Sequence, residues 1–403
     1  MKRFLFLQGP ISPYFRLVGQ ALTARGHHVR RVNLCLGDWL FWRGPEALNY
    51  RGRLRDWPAW VAALMEREAI TDLVLLGEQR PYQRLAIREA HARGIAVTAT
   101  DFGYIRPDWI ILERDGLNAD SHFPRDPAAI RRLAEAAPPL DPRQIYPDDF
   151  GRQARWDVLF HLANTLPWPF PHYERFLLHH PAPGYIGTGW RLLRRPVNWK
   201  RGAARVAALP AEAPLFVFAM QMETDYSIRA YSRFPDMDTP LALAIRSFAR
   251  HAPRDAHLVV KVHPLDPGLK RWGARIGRMA DQAGVTGRVH YVDTESLEPI
   301  LPRMAGMVTV NSTAGIRALQ LGRPVIALGE ALYRVPGLTH EGGLDRFWAA
   351  PEPPDAALMA AWLRAVAHHL QVRGVYYMQP GLDAGVAATV ARLEQGAGPP
   401  PAL

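Results

Sequence analysis

The stretch RFLFLQGPISPYFRLVGQALTARGHHVRRVNL, residues 3–34, decides the fold. It opens with an apolar run from Arg3 to Gln8, breaks at Gly9-Pro10, and continues as a helical pattern from about Pro13 to Arg25 that Gly26 closes. A second apolar run, His28 to Leu34, follows. Strand, loop, helix, strand is the order in which a crossover brings the chain back in the same direction, so this unit predicts a parallel sheet. Further along, the pattern repeats. A helix ending near Ile70 precedes the strand Leu73 to Leu76, and a helix from Gln83 to Arg93, stopped by Gly94, precedes the strand Ile95 to Thr100. These strands and helices predict a Rossmann-like first half. The apolar start is short and cut by Gly9-Pro10, which suits a strand and not a secretory signal. No segment approaches the ~18 unbroken apolar residues of a membrane span. The expectation is a cytoplasmic protein.

From about Asp126 to Ala204 the sequence is helical and punctuated by proline, as in PWPFPHYERF at residues 167–176. Regular alternation then restarts. Strands are predicted at Pro214 to Met220, His257 to Val262, Val289 to Val292, Gly306 to Val310 and Pro324 to Leu328. Helices are predicted at Thr239 to His251, Glu295 to Met304 and Thr313 to Leu321. The expected organisation is a first domain over residues 1–205 with a helical insertion at about 126–205, a second over 206–385, and a disordered tail at 386–403. The fold class is α/β: two Rossmann-like domains facing an interdomain cleft, with functional residues just after strands. A length of 403 residues agrees, since it exceeds what one core usually organises.

Composition narrows the function. The single cysteine, Cys35, rules out a disulfide within the chain and a cysteine-based metal cluster, and its apolar surroundings read as a buried structural thiol. The net charge is +11, from 49 basic and 38 acidic residues. Only Lys2, Lys200, Lys261 and Lys270 are lysines. Such a basic surface attracts anionic lipid headgroups and phosphorylated substrates. The arginines are scattered and no recognition motif is present, so no nucleic-acid partner is expected.

Five segments after strands carry candidate chemistry. Gly9 with Ser12-Pro13 reads either as an anion-binding helix start or as a tight turn. There is no GxGxxG and no P-loop lysine. Asp101-Phe102-Gly103, with Arg106 five positions on from Asp101, reads as a catalytic carboxylate with an anion-holding arginine, or as a capped turn. The run Gln221 to Ser227 places a polar cluster after a buried strand, with Asp225 as the central carboxylate and Glu223 as its rival. Asp236-Met237-Asp238 spells DxD, but in a loop before a helix, which reads as helix capping. Lys261 to Asp266 contains His263-Pro264, whose proline holds the histidine in an extended geometry suited to a phosphate contact. Asn311-Ser312-Thr313 before a helix is an anion cradle or ordinary capping, since the same residue types serve both.

The runs Phe6 to Pro10 with Ser12-Pro13, Gly26-His27, Gly37 to Trp42 and Tyr50-Arg51-Gly52 continue into Asp101 to Ile111, Asn118 and Pro124 to Pro127. They are joined by Gln221 to Ile228, Lys261 to Asp266, Asn311 to Gly329, Pro336 to Thr339 and Phe347-Trp348. Together they resemble the KpsS-type capsule polysaccharide proteins, over nearly the whole chain outside 130–205 and the tail. That resemblance implies a GT-B-like two-domain fold and a β-Kdo transferase using CMP-Kdo as donor and a lysophosphatidylglycerol-type lipid as acceptor. It implies a peripheral location at the inner face of the inner membrane, with the capsule synthesis and export complex as a further partner. His263-Pro264 match the family's His-Pro motif, which contacts CMP; Ser312 and Thr313 match the motif that holds its phosphate at a helix start. Gln221 and Asp225 match Gln-x-x-x-Asp, whose aspartate looks like a nucleophile in related retaining transferases. Asp101 fits the first acid of an acidic-acidic-Gly motif and takes the acid/base role, with Phe102 in place of the second acid and Gly103 kept. Tyr226 stands where relatives usually carry Ser. No cofactor or metal is expected, because amides and a histidine can stabilise one leaving phosphate. The aromatic segments GDWLFW and PWPFPHY would serve at a bilayer or pack in the core. Two other readings stay open: a transferase for another donor such as CMP-sialic acid, and a non-catalytic export or assembly factor.

Overall fold

The computed structural model describes residues 1–175, 181–223, 225–293 and 300–397. The chain forms two compact units, one of Met1–Phe123, Ala134–Phe176 and Leu363–Leu403, the other of Pro124–Leu133 and Leu177–Trp362.

The first unit is built on β1 (Arg3–Phe6), β2 (His28–Asn33), β3 (Ala47–Asn49), β4 (Asp72–Leu76), β5 (Ala96–Phe102) and β6 (Trp109–Arg114). The second is built on β7 (Leu215–Ala219), β8 (His257–Lys261), β9 (Val289–Val292), β10 (Met304–Thr309) and β11 (Val325–Ala327). A last short strand, β12 (Gln371–Arg373), joins the first unit. Both units are α/β with parallel sheets, as the opening stretch predicts.

In the first unit the order is β12-β6-β5-β4-β1-β2-β3. β1 to β5 run parallel; β6 pairs antiparallel with β5, and β12 antiparallel with β6. The apolar side chains of β1 and β4 are almost entirely buried, as strands covered on both faces require. Gly103 makes the β5–β6 turn: its N–H donates to the Trp109 carbonyl at 2.7 Å, and a Cβ there would lie 2.6 Å from that oxygen.

The expected division at residue 205 does not describe this unit. Residues 363–397 return to it rather than closing a C-terminal domain. Two contacts explain why. β12 pairs with β6 through Val372 and Ile110, and the helix Gly381–Gln395 lies on the helix Tyr14–Ala24. There the buried Tyr14 hydroxyl donates to the Gly385 carbonyl at 2.8 Å and meets the Thr389 hydroxyl at 2.6 Å. That helix also corrects the expected tail. Residues 386–395 are helical, with Val390 and Leu393 buried and Glu394 paired to Arg25 at 2.8 Å; residues 398–403 lie outside the described residues.

The second sheet is wholly parallel, in the order β11-β10-β7-β8-β9. All five strands therefore end at one edge. Its core is aromatic: Phe216 and Phe248 meet the Trp348 ring edge-on at 5.1 and 5.3 Å, and the indole N–H donates to Ser247 Oγ at 2.7 Å. Of the expected helix Glu295 to Met304, residues 295–299 lie outside the described residues. Leu301–Arg303 is a single 3-10 turn and Met304 already begins β10, where its pairing with β7 takes its backbone. No helix among the described residues is long and apolar enough to cross a membrane.

Removing the Tyr14 hydroxyl takes partners from two buried polar groups. Tyr14→Phe is expected to lower stability by about 1–2 kcal/mol, read as a lower denaturant midpoint with an unchanged slope; an unchanged midpoint would contradict this role for the contact.

Candidate functional site

In the second unit the chain leaves β7 towards β8 on one side, while β10 sits on the other. This reversal is a topological switch point, where the loops after adjacent strands diverge and leave a crevice. Register lines the strand ends up: Ala219 pairs with both Lys261 and Thr309. The polar runs after β7, β8 and β10 therefore emerge side by side.

Two of these loops are tied by a buried amide pair. Gln221 Nε2 donates to Asn311 Oδ1 at 2.8 Å, and the Asn311 backbone N–H donates back to Gln221 Oε1 at 3.0 Å. Below them Thr309 Oγ1 donates to the Ala219 carbonyl and accepts from the Ser312 N–H, both at 3.3 Å. Ser312 Oγ accepts from the Ala314 N–H at 3.2 Å, so the hydroxyl helps start the helix Ala314–Gln320, and Thr313 is the residue before it. The Tyr333 hydroxyl donates to the Ser312 carbonyl at 2.7 Å from beneath. Gly315 makes room for that ring, since a Cβ there would meet the hydroxyl at 2.5 Å. Asn311, Ser312 and Thr313 are thus held in one conformation at a helix start.

After β8, Lys261 is buried, and burial lowers its pKa to about 8, with Asp293 opposing and Arg191 adding to the shift. The turn at His263-Pro264 folds so that the Leu265 N–H donates to His263 Nδ1 at 3.1 Å. A neutral imidazole with that acceptor carries its proton on Nε2 and presents a donor there. Beside this turn is a cavity of about 340 Å³ lined in part by Val262, Asp266, Lys270, Trp272, Tyr291 and Asp293. Asp225 is exposed and ends a turn, its N–H donating to the Met222 carbonyl at 2.9 Å, immediately before the helix Tyr226–Tyr231. Its rival Glu223 is part of an ion cluster: Lys270 bonds both Glu223 and Asp238, and Arg275 bonds Asp238 at 2.8 Å. Asp236 caps its helix by accepting from the Thr239 N–H at 2.9 Å. The DxD acids are engaged in capping and ion pairing.

The first unit holds the other sequence candidates. Gly9 is needed because the Phe15 ring would lie 2.2 Å from a Cβ, which gives the glycine a packing reason. Ser12 is buried and accepts from the Tyr14 N–H at 3.2 Å. Asp101 lies within β5 rather than beyond it, paired with Ile111. Its Oδ1 accepts from the Phe102 N–H at 2.7 Å, and the Arg106 guanidinium lies 5.2 Å from the centre of the Phe102 ring. Gly9 and Ser12 stand after β1, Asp101 and Arg106 at the β5–β6 turn, so even within this unit they fall at two places.

Arg191 was not legible in the sequence. It reaches from the helix Pro181–Ala207 to Asp293 at 2.6 Å and to the Asp266 carbonyl, fixing the loops after β9 and β8 together. Asp293 itself follows a strand, the signal that marked the other candidates; Arg191 lies 72 residues before His263 with no pattern linking them.

The Gln221–Asn311 pair makes a separable prediction. Gln221→Ala and Asn311→Ala should each destabilise the protein, and the double variant should cost less than their sum by roughly 0.5–3 kcal/mol in denaturant unfolding. Strict additivity would show that the two amides act independently.

Residues 71–377 match the family described as capsule polysaccharide biosynthesis protein. The chain is 31% identical over 380 residues to the capsule polysaccharide export protein KpsS of Escherichia coli, covering 93% of this chain and 97% of that one. It is 30% identical over 397 residues to the capsule polysaccharide modification protein LipB of Neisseria meningitidis serogroup B, covering 94% and 92%. Among solved structures it is similar to Thermosulfurimonas dismutans KpsC, a β-Kdo 2,7 transferase, at 14% identity with a TM-score of 0.49, covering 98% of this chain and 100% of that one.

Proposed function

The chain belongs to the capsule polysaccharide biosynthesis protein family, and from that premise we propose that it is a glycosyltransferase moving Kdo from CMP-Kdo to a lysophosphatidylglycerol-type lipid. The observation that carries the reading is the switch point of the second sheet. There Gln221, Lys261, His263-Pro264 and Asn311-Ser312-Thr313 emerge side by side from β7, β8 and β10.

In this reading the cytidylyl phosphate takes hydrogen bonds from His263 Nε2 and from the helix start at Ser312 and Thr313, with Lys261 supplying positive charge. Gln221 and Asn311 hold the loops to shape. The Asp225 carboxylate attacks the anomeric carbon of Kdo, the bond to the phosphate oxygen breaks, and CMP leaves with the bonding electrons. The acceptor hydroxyl then attacks the same carbon, displaces the carboxylate and gives its proton to a base, for which Asp101 is the candidate. The donor phosphate and sugar carboxylate are both anionic, which suits Arg106 and the basic composition. The inner-membrane surface is the place where a lipid acceptor would be met.

The export role in the name of the Escherichia coli relative favours a second reading, that of an export or assembly factor without catalysis. One assay separates the two. Purified protein with CMP-Kdo, regenerated in situ, and a lysophosphatidylglycerol analogue is expected to give a product heavier by one Kdo. Asp225→Ala and His263→Ala, while remaining folded, should slow transfer by about 100-fold or more. No product from CMP-Kdo, with product from CMP-sialic acid, would change the donor; variants that leave export intact and no transfer from any donor would favour the second reading.

The lysine adds a pH test. A phosphate beside Lys261 raises its pKa in the complex, so binding takes up a proton once the free amine begins to titrate. CMP affinity should therefore fall as pH rises above about 8. Calorimetry in buffers of different ionisation enthalpy should detect the uptake, and Lys261→Met should abolish it. A pH-independent affinity would remove Lys261 from the phosphate site.

A further inference from the structure

The helix Pro181–Ala207, in the second unit, has two very different sides. Its inward side is pinned. A Cβ at Gly187 would lie 2.1 Å from the Pro267 carbonyl oxygen, Arg191 pairs with Asp293 at 2.6 Å, and Arg205 donates to the Tyr291 carbonyl at 3.0 Å. The outward side carries Ile186, Leu193 and Val197, with Trp190 on the border between this side and the cavity beside the His263 turn; the four fall on one stripe of an α-helix. In chain order they are exposed by 74%, 56%, 78% and 51%. A helix on a soluble surface buries such a stripe; this one presents it on a fixed support.

The charges bordering the stripe are of one sign. The helix contains no Asp or Glu, and apart from the inward Arg191 and Arg205 its charges are Arg194, Arg195, Lys200 and Arg201. The Arg194 guanidinium lies 4.2 Å from the centre of the Trp190 ring, pairing a cation with an aromatic that has one apolar and one wet end. A large apolar stripe beside purely cationic side chains complements a bilayer interface, where acyl chains accept the first and anionic headgroups the second. Another exposed apolar run, Val158, Leu159 and Leu162 in the helix Phe150–Ala163, has Asp157 beside it and lacks this bias.

We propose that this outward face docks the protein, with the helix in the plane of the surface, on an anionic lipid bilayer. The inference deepens the lipid-acceptor reading above: its meaning for transfer rests on that reading, while its support does not.

The test uses the full chain without donor. Vesicles of phosphatidylcholine with and without phosphatidylglycerol are sedimented with wild type, with Leu193→Glu/Val197→Glu and with Lys200→Glu/Arg201→Glu. Wild type is expected to pellet with the anionic vesicles, less so as salt rises, and far more weakly with phosphatidylcholine alone. Each double variant should lower the partition coefficient by roughly ten-fold or more at an unchanged thermal midpoint. Vesicle binding that either variant retains in full, or no binding by wild type, would overturn the proposal. So would concentration-dependent self-association abolished by these variants without lipid binding, which would assign the face to a second copy. Failure of Kdo transfer with vesicle binding intact would sink the enzymatic reading and leave this one standing.

Discussion

Everything proposed for the second unit depends on the register of three parallel strands. Because β7 pairs with β8 on one side and β10 on the other, Ala219, Lys261 and Thr309 lie level across the sheet. Whatever follows them must emerge together. The register is tied at the strand ends, where Thr309 Oγ1 donates to the Ala219 carbonyl and the Met220 N–H donates to the Lys261 carbonyl at 3.0 Å. The Gln221–Asn311 amide pair then closes the gap between two of the loops with both partners buried and bonded, and a buried amide without its partner is costly. The switch-point crevice and its polar lining are thus one construction.

Electrostatics at this edge are poised for an anion. Lys261 gives up some of its charge to burial, and Asp266 and Asp293 are already engaged by Arg191. Burial raises the pKa of Asp266 and pushes the Tyr291 hydroxyl up to about 12. An arriving phosphate would restore the lysine's charge rather than compete with it. Glu223, close in sequence to Asp225, is spent on Lys270 and on the Met237 N–H. That leaves these two carboxylates of one loop in different environments, the exposed Asp225 and the half-buried, cation-paired Glu223.

Most of both sheets was legible because buried parallel strands are unbroken apolar runs closed by glycine or proline, as in LFVFA after Pro214 and HLVVK before His263-Pro264. Of the three-residue strands, β11 shows as an apolar run, whereas β3 with Asn49 and β12 with Gln371 and Arg373 do not, and β12 exists only because β6 offers it an edge. The helix Gly381–Gln395 was partly taken for tail because its small residues blur the apolar stripe; the same smallness lets Gly385 approach Tyr14. At the site, residues just after strands were found by rule, and Gln221, Lys261, His263 and Asn311 to Thr313 do stand at one sheet edge. Gly9 illustrates the limit of the rule, because the close approach it permits is that of Phe15. Arg191 shows the other limit, a contact made across the fold by a helix whose own pattern points elsewhere.

The central claim is that this sheet edge is a nucleotide site, and the position of bound CMP tests it most directly. A crystal structure of the protein with CMP should place the phosphate within hydrogen-bonding distance of His263 Nε2 and of the backbone N–H groups or hydroxyls at Ser312 and Thr313. CMP bound away from the ends of β7, β8 and β10, with these groups untouched, would contradict it.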